Sequence, residues 1–284
     1  MASAESNAQS SYAGLFDRGL AILEILASSG EGVALTEISE TLRIPRSATH
    51  RLLNTLCETG YARQEHERGT YVLTSKLLSL AFTHLGADGM IDSVQPVLNR
   101  LAEEVGELVR LSVVDEDRLT WVARAQGARS GLRYDPDMGM AAKLSCSATG
   151  YAWMATMDNQ QALALVQQQG FGSVQEYGPS APQTVEELLS KIESVRTLGY
   201  ALAIRTFADW MSAVAVPLIH PVSRKVLGVI SVAGPAFRLS ESRLHQIAPS
   251  LIAAAGEIQQ LIPGSPALMS PRLTALNISQ GSEA

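Results

Sequence analysis

Apolar residues recur at helical spacing through the first quarter of the chain. The three runs lie at residues 20–26, 38–42 and 49–56. Within the third run, Thr49, Leu52 and Leu53 share one side of a helix because they lie three and four positions apart. Asp17 and Thr36 stand where the first and second helices need N-caps. Two helices, a short turn and a third helix predict a helix-turn-helix.

A short hairpin is predicted directly after the third helix. After Gly60, the β-rich runs 61–65 and 70–73 flank a turn that contains Gly69. Two such runs with a glycine between them favour an antiparallel hairpin. In this position the hairpin is the wing of a winged helix.

Strand and helix patterns follow each other in a different order in the rest of the chain. The β-rich runs lie at 109–114, 119–125, 200–205, 212–219 and 226–233, and the helical runs at 148–157, 159–168, 185–198 and 240–261. The acidic tripeptide 115–117 joins the first two strands as a hairpin. Strands at both ends with helices between them predict an α+β fold, in which helices cover an antiparallel sheet.

Two apolar helices connect the two regions. Thr74 and Asp92 are their predicted N-caps, and the sequence from Gly86 to Gly89 separates them. Their apolar surplus predicts that they pack against a partner protomer or the second domain. The predicted organisation is a flexible N-terminus (1–14), a winged helix-turn-helix domain (15–75), linker helices (76–106), a sheet domain (107–262) and a flexible tail (263–284).

The distribution of charge limits where nucleic acid can bind. The whole chain of 284 residues carries a net charge of −6, which argues against a protein that coats nucleic acid with its entire surface. From Arg43 to Arg68, however, five Arg and three Glu give +2, so the remainder of the chain carries −8. This asymmetry places any nucleic-acid contact in the first quarter of the chain.

The cysteines and the hydropathy of the chain indicate in which cellular compartment the protein is expected. Cys57 and Cys146 are far apart and lack the spacing of a metal site or a disulfide framework. No apolar run approaches the roughly 20 residues of a membrane span, and the first residues lack the apolar core of a signal peptide. We therefore expect a cytoplasmic protein without membrane contact, metal or cofactor.

The polar side of the third helix carries the first candidate site. Opposite the apolar side, and with the same spacing, the helix carries Ser47, His50, Arg51 and Asn54, with Arg46 one residue further round. Hydroxyl, imidazole, guanidinium and amide groups bond base edges and phosphates in a major groove. An ordinary solvated helix face is the alternative.

The predicted wing adds two cations to this candidate site. Arg63 and Arg68 can reach the DNA backbone or the minor groove. Glu65 and Glu67 make this wing less basic than that of a strong minor-groove reader.

The order of the segments resembles the IclR family of bacterial transcriptional regulators, from about residue 15 to about residue 262. The residues that carry the resemblance are 46–56 (RSATHRLLNTL), Gly60-Tyr61, 147–152 (SATGYA), 199–201 (GYA), 215–217 (AVP) and 228–235 (GVISVAGP). The resemblance implies an N-terminal winged helix and a C-terminal GAF-like effector domain, in dimers that often pair into tetramers. It also implies DNA contacts by Arg46, Ser47, His50 and Arg51, whereas Ala48 departs from the family's usual Thr.

The resemblance also implies an effector pocket in the second domain. The matching positions are Ala142, Ala148, Thr149, Ala203, Ala213, Ser231 and Ala233. Several of these are polar in relatives that bind small oxoacids, so the alanines predict a larger and less polar pocket for an aromatic carboxylate or another bulky organic acid. In the loop after Gly199-Tyr200, Trp210 can stack on a flat ligand and Arg205 can anchor a carboxylate.

Each of these pocket residues has a structural alternative. Trp210 can be an ordinary packing residue, and Arg205 can pair with Asp209 at the surface. Ser147 and Thr149 are first of all helix caps, although a helix start also suits an anion. Cys146 is either a buried structural thiol or a redox-sensitive one.

These observations predict a repressor or activator of a catabolic operon. We expect a dimer or tetramer to bind a palindromic or pseudo-palindromic duplex operator, under control of a small organic acid. One alternative is a hydrolase with Ser147 as nucleophile and His220 or His245 as base, but no nucleophile elbow is present. The other is a ligand sensor whose winged helix binds protein.

Overall fold

A computed structural model gives the architecture of the chain. It describes residues 14–65, 69–86, 90–129, 131–134, 141–172 and 176–261. The chain divides into two compact units, the first ending at His84 and the second starting at Leu85. The predicted flexible ends, 1–13 and 262–284, and the hairpin residues 66–68 lie outside the described residues.

The first unit is a winged helix-turn-helix. Its elements are α1 (Leu15–Ala27), β1 (Val33–Ala34), α2 (Leu35–Leu42), α3 (Arg46–Glu58), β2 (Ala62–Glu65), β3 (Thr70–Leu73) and α4 (Lys76–Gly86), which runs across the boundary between the units. The strands form an antiparallel sheet in the order β1-β3-β2. The predicted helix-turn-helix and its hairpin are therefore confirmed.

The apolar side of each helix forms the core of this unit. Ile22, Ile38 and Leu53 are completely buried and belong to one cluster with the sheet residue Tyr71. Thr49 is also completely buried, and its hydroxyl donates to the Pro45 carbonyl at 3.3 Å. The predicted apolar side of α3 thus faces the core.

Three predicted N-caps are wrong. Helix α1 begins earlier than predicted, and the Gly14 backbone N–H donates to the Asp17 carboxylate at 3.0 Å, so that Asp17 acts from the third helical position. Helix α2 begins at Leu35 because its cap, Ala34, is paired with Thr70 in the small sheet. Helix α5 begins at Met90, which places Asp92 in its first turn.

The second unit is an antiparallel sheet between two layers of helices. Its elements are α5 (Met90–Val105), β4 (Leu108–Asp115), β5 (Arg118–Gln126), α6 (Ala148–Met154), α7 (Asn159–Gln169), α8 (Val185–Leu198), β6 (Ala201–Ile204), β7 (Met211–Ile219), β8 (Val226–Pro235) and α9 (Glu241–Leu261). The strand order is β5-β4-β8-β7-β6, and every pairing is antiparallel. The predicted α+β class is confirmed.

The two faces of this sheet carry side chains of different size. On β7, Val214 and Val216 belong to a core shared with α5 and α9, whereas Ala213 and Ala215 belong to a core shared with α6, α7 and α8. Side chains alternate between faces along a strand, so this division follows from the sequence. We call the side with the alanines the small-residue face.

Within the described ranges, every helix is too short or too polar to cross a bilayer.

Candidate functional site

The position of α3 depends on a tight turn between it and α2. Arg43 ends α2 in the left-handed conformation, with φ 52° and ψ 43°, and Ile44 turns its side chain into the core. Pro45 is the N-cap of α3. The turn leaves one side of α3 buried and the other side accessible.

The accessible side of α3 contains five of the seven predicted DNA contacts. Arg46, Ser47, His50, Arg51 and Asn54 are exposed, and we call them the α3 polar face. The first turn of the helix has no acidic residue. Arg46 lies 3.9 Å from Glu40, and because both side chains are more than two-thirds exposed, this ion pair holds Arg46 only weakly. His50 Nδ1 and Asn54 Nδ2 are 3.5 Å apart, so these two exposed side chains lie next to each other.

The hairpin offers less free charge than α3. Arg63 is exposed, but its Nη1 lies 2.6 Å from the Glu65 carboxylate, which offsets its charge. Arg68, the other predicted wing contact, lies outside the described residues.

In the second unit, the predicted pocket residues come together on the small-residue face. Ala142, Ala148, Ala203, Ala213 and Ala233 are buried in one cluster. Two buried hydroxyl residues lie beside them: Thr149 on α6 and Ser231 on β8.

Polar bonds hold the loop that covers this face. The Gln169 side chain accepts from the Leu144 N–H at 2.8 Å and donates to the Ala142 carbonyl at 2.8 Å. The buried Thr206 hydroxyl donates to the Cys146 carbonyl at 2.6 Å. A loop whose backbone groups are satisfied in this way has a defined shape. Thr206 therefore helps to hold the loop that covers the small-residue face.

Ser147 acts as a helix cap. Its hydroxyl accepts from the Gly150 N–H at 3.0 Å and donates to the Lys143 carbonyl at 2.5 Å. The two histidines of the hydrolase alternative have other partners. His220 Nδ1 accepts from the backbone N–H groups of residues 222 and 223, and His245 Nδ1 bonds the Tyr200 hydroxyl at 2.6 Å. The structure therefore gives the nucleophile–base pair no support.

Arg205 and Trp210 lie at the edge of the pocket region. Arg205 has a left-handed backbone, with φ 55°, and forms an ion pair with Asp209 in which Nε lies 2.7 Å from the carboxylate. This is the surface pair that the sequence left open as the alternative. Trp210 is 52% exposed, and its ring meets Tyr134 edge to face with centroids 5.4 Å apart.

The residue that sequence reasoning missed is Arg110. It lies in the middle of β4, is only 4% exposed, and is directly opposite Ser231 in the pairing of β4 with β8. Its guanidinium carbon is 4.0 Å from the centroid of the Trp121 ring and 5.4 Å from that of Tyr134. Burial lowers the pKa of Arg110, and the Tyr134 hydroxyl acts in the opposite direction.

The guanidinium of Arg110 has unused donors. Among the residues that the structure describes, Nε and Nη1 have no hydrogen-bond partner, and neither do the Ser231 hydroxyl and the Trp121 indole N–H beside them. The available signal was a charged residue within the otherwise apolar run Leu108-Val-Arg-Leu. Periodicity alone did not reveal whether this arginine had a partner.

The Cys146 thiol, next to the cap residue Ser147, has low reactivity. Cys146 is 1% exposed, and burial raises the pKa of its thiol to about 12. A thiol with so high a pKa is almost entirely protonated at neutral pH, which favours the structural alternative for Cys146.

Two family models match this chain in the same order as its two units. The IclR helix-turn-helix domain matches residues 16–66, and the bacterial transcriptional regulator IclR C-terminal domain matches residues 82–260.

Relatives with similar overall length support the same assignment. The acetate operon repressor of Salmonella typhimurium is 27% identical over 242 residues, which are 85% of this chain and 87% of that protein. The Pca regulon regulatory protein of Pseudomonas putida is 26% identical over 242 residues, covering 85% and 81%. An IclR homolog of Microbacterium hydrocarbonoxydans, solved in complex with 4-hydroxybenzoate, has the same fold, with a TM-score of 0.72, 18% identity and coverage of 89% and 100%.

Proposed function

The chain belongs to the IclR family of bacterial transcriptional regulators, and from that premise we propose which residues contact DNA and which kind of effector controls it. The proposed segments are a winged helix-turn-helix domain (15–75), linker helices (76–106) and an effector-binding domain (107–262). We propose that it acts in the cytoplasm on a catabolic operon.

The α3 polar face is the proposed reader of the operator. The observation that carries this proposal is the division of α3 into a buried apolar side and an exposed side that carries two arginines, with no acid in the first turn. Arg51 is assigned to a phosphate, and Arg46 or His50 to base edges, since cations position and bidentate contacts specify. Arg63 and Arg68 are secondary contacts from the wing.

A dimer on a palindromic or pseudo-palindromic operator fits this arrangement. Helix-turn-helix proteins bind two half-sites with two copies of the recognition helix. The first unit exposes apolar side chains that a second copy can cover: Leu15, Phe16 and Leu20 on α1 and Leu80 on α4. These four line a groove of about 610 Å³.

The proposed effector is an aromatic organic acid bound on the small-residue face. Five buried alanines give the face little polarity, which suits a bulky apolar ligand body. The fold is able to hold such a ligand, since one protein with this fold was solved with 4-hydroxybenzoate. The effector changes the spacing of the two recognition helices, and coupling of about 1 to 3 kcal/mol is typical of such regulation.

A salt titration of operator binding tests the assignment of α3. The fragment is the DNA upstream of the protein's own gene, and the variant is Arg51→Ala. Loss of one charged hydrogen bond weakens binding roughly 10- to 150-fold and lowers the salt slope by about 1. Arg243→Ala, an exposed arginine on α9, is the matched control and leaves both values unchanged.

Two results would contradict this proposal. One is an Arg51→Ala protein that binds within twofold of the parent at every salt concentration. The other is a parent protein that binds no fragment better than random DNA, which would favour the protein-binding alternative.

A further inference from the structure

Arg110 is buried without a counter-ion among the described residues. Of the described Lys and Arg residues, it is the only one in the buried class, and its Nε and Nη1 donors are unpaired. The other buried charge, Glu107, is paired with Arg238 at 2.5 Å. We propose that Arg110 is the anchor of the effector site and that its missing partner is the carboxylate of a flat, aromatic monocarboxylic acid.

Energetics support a ligand as the missing partner. Burial of an unpaired charge is costly, so buried arginines in folded proteins are paired or bind an anion. Hydrogen bonds from a guanidinium to a carboxylate are charge-assisted and therefore strong, and each of the two unpaired donors can bond a carboxylate oxygen. An anion that enters this site therefore satisfies donors that the described residues leave unsatisfied.

The surroundings of Arg110 favour a flat ligand. The Trp121 ring lies against the guanidinium on one side, and Tyr134 adds a second aromatic wall. The small-residue face continues from Arg110 to Ser231 and Ala233 on β8, next to β4, and to Ala213 on β7, so the residues beside the guanidinium have small side chains. Ser231 offers an unpaired hydroxyl for a second polar group on the ligand.

The single charge also limits the ligand to one carboxylate. Since Arg110 is the only buried cation among the described residues, a second carboxylate on the ligand would be buried without a partner. Such a group costs more than the first one gains. The site therefore selects monocarboxylates over dicarboxylates of the same size.

The backbone around Tyr134 is held in place by side chains from the sheet edge. Gln126 Nε2 donates to the Tyr134 carbonyl at 3.0 Å, and Arg238 Nη2 donates to the Leu132 carbonyl at 3.0 Å. Trp210 packs on the edge of Tyr134 and so acts on the site through it. Tyr134 is thus a positioning residue, while Arg110 makes the direct contact.

This inference rests on the proposed function but moves the anchor from Arg205 to Arg110. Arg205 is half exposed and already holds Asp209. A carboxylate at Arg205 would have to displace that partner in a solvated setting, where ion pairs contribute little.

Calorimetric titration of the full chain tests the anchor. The probes are benzoate, 4-hydroxybenzoate, the uncharged isostere benzamide and the dicarboxylate phthalate. The parent binds at least one of the two monocarboxylates, at least tenfold more tightly than benzamide or phthalate. Arg110→Met weakens the bound acid roughly 10- to 150-fold, the loss expected for a charged hydrogen bond. Arg205→Met, the matched control, stays within threefold of the parent.

A thermal scan without ligand separates an anchor from a structural arginine. Removal of an unpaired buried charge leaves the melting temperature of Arg110→Met equal to or above that of the parent. A structural role predicts a lower melting temperature and equal losses for benzoate and benzamide. Arg110→Lys keeps the positive charge but lacks the planar set of guanidinium donors, so it recovers part of the affinity for the acid. It also serves as a second variant if Arg110→Met does not fold.

Three outcomes would overturn the proposal: none of the acids binds the parent, benzamide binds as well as benzoate, or Arg110→Met retains the parent's affinity. A gel shift without acid keeps the two proposals distinct, because Arg110→Met binds the operator as the parent does. If neither protein binds DNA while benzoate selectivity persists, the regulator proposal fails and the anchor stands.

Discussion

At the scale of the residue, environment decides what an arginine does. Arg51 lies exposed on α3, Arg205 is paired with Asp209 at the surface, and Arg110 is buried without a described partner. The same guanidinium is therefore a proposed phosphate contact in Arg51, a surface ion pair in Arg205 and a proposed anion anchor in Arg110. A buried cation without an acid is the rarest of these situations and carries the most information about function.

Cys146 gives a prediction at this scale. Burial raises the pKa of its thiol from 9.0 to about 12, so the folded protein holds about a thousandfold less thiolate there than an ordinary cysteine does at pH 8. We expect iodoacetamide to modify the partly exposed Cys57 first, as mass spectrometry of the peptides will show. Because the folded pKa is the higher one, this thiol's contribution to stability is complete below pH 9 and declines toward pH 12. Equal alkylation of both cysteines at pH 8 would contradict the prediction.

At the scale of the element, the chain passes very close to the α5 backbone directly after the end of β5. A Cβ on Gly127 would lie 1.8 Å from the Ala102 carbonyl oxygen on α5. Gly127 also donates its N–H to the Glu107 carbonyl at 3.1 Å. This contact determines where the segment toward Tyr134 starts, because β5 ends one residue earlier.

We expect Gly127→Ala to destabilise the second unit by about 1 to 3 kcal/mol, the usual cost of overpacking, since backbone must move. Urea denaturation measures the change. Gly256→Ala on α9 is the matched control: nothing lies within 4 Å of its added Cβ, so the substitution stabilises by up to about 1 kcal/mol. A Gly127→Ala protein as stable as the parent would show that the α5 backbone shifts to accommodate the added methyl group at little energetic cost.

At the scale of the whole molecule, each of the two units has its own hydrophobic core. The first unit buries Ile22, Ile38 and Leu53 in its own cluster, and the second buries the two faces of its five-stranded sheet. Each core gathers residues from its own unit alone, so each unit has its own source of stability.

Calorimetry of the full chain is therefore expected to show two transitions. Leu53→Ala costs about 2 to 5 kcal/mol in the first transition, because a completely buried leucine is replaced by a cavity. Ile230→Ala costs a similar amount in the second and serves as the reciprocal control. If each substitution lowered both transitions equally, the units would unfold as one cooperative block.

Local patterns in the sequence determined the elements and the α3 polar face. The period of 3.6 places Arg51 opposite Leu52 and Leu53, and the period of two divides Val214 from Ala215; both follow from backbone geometry. The cap of α2 was misplaced because a neighbouring strand intervened. Ala34 pairs with β3, so α2 starts before Thr36. Pairing of this kind joins residues about 36 positions apart and leaves no local signal.

Only the tertiary structure decided the state of Arg110. Trp121, Tyr134 and Ser231 reach it from β5, from the segment after β5 and from β8, and none of them is its neighbour in sequence. Whether a charge is paired depends on which side chains share its space, and this is a property of packing across the sheet. The sequence determined that α3 carries an exposed cationic side and predicted an apolar pocket, and the packing decided which buried cation has no partner among the described residues.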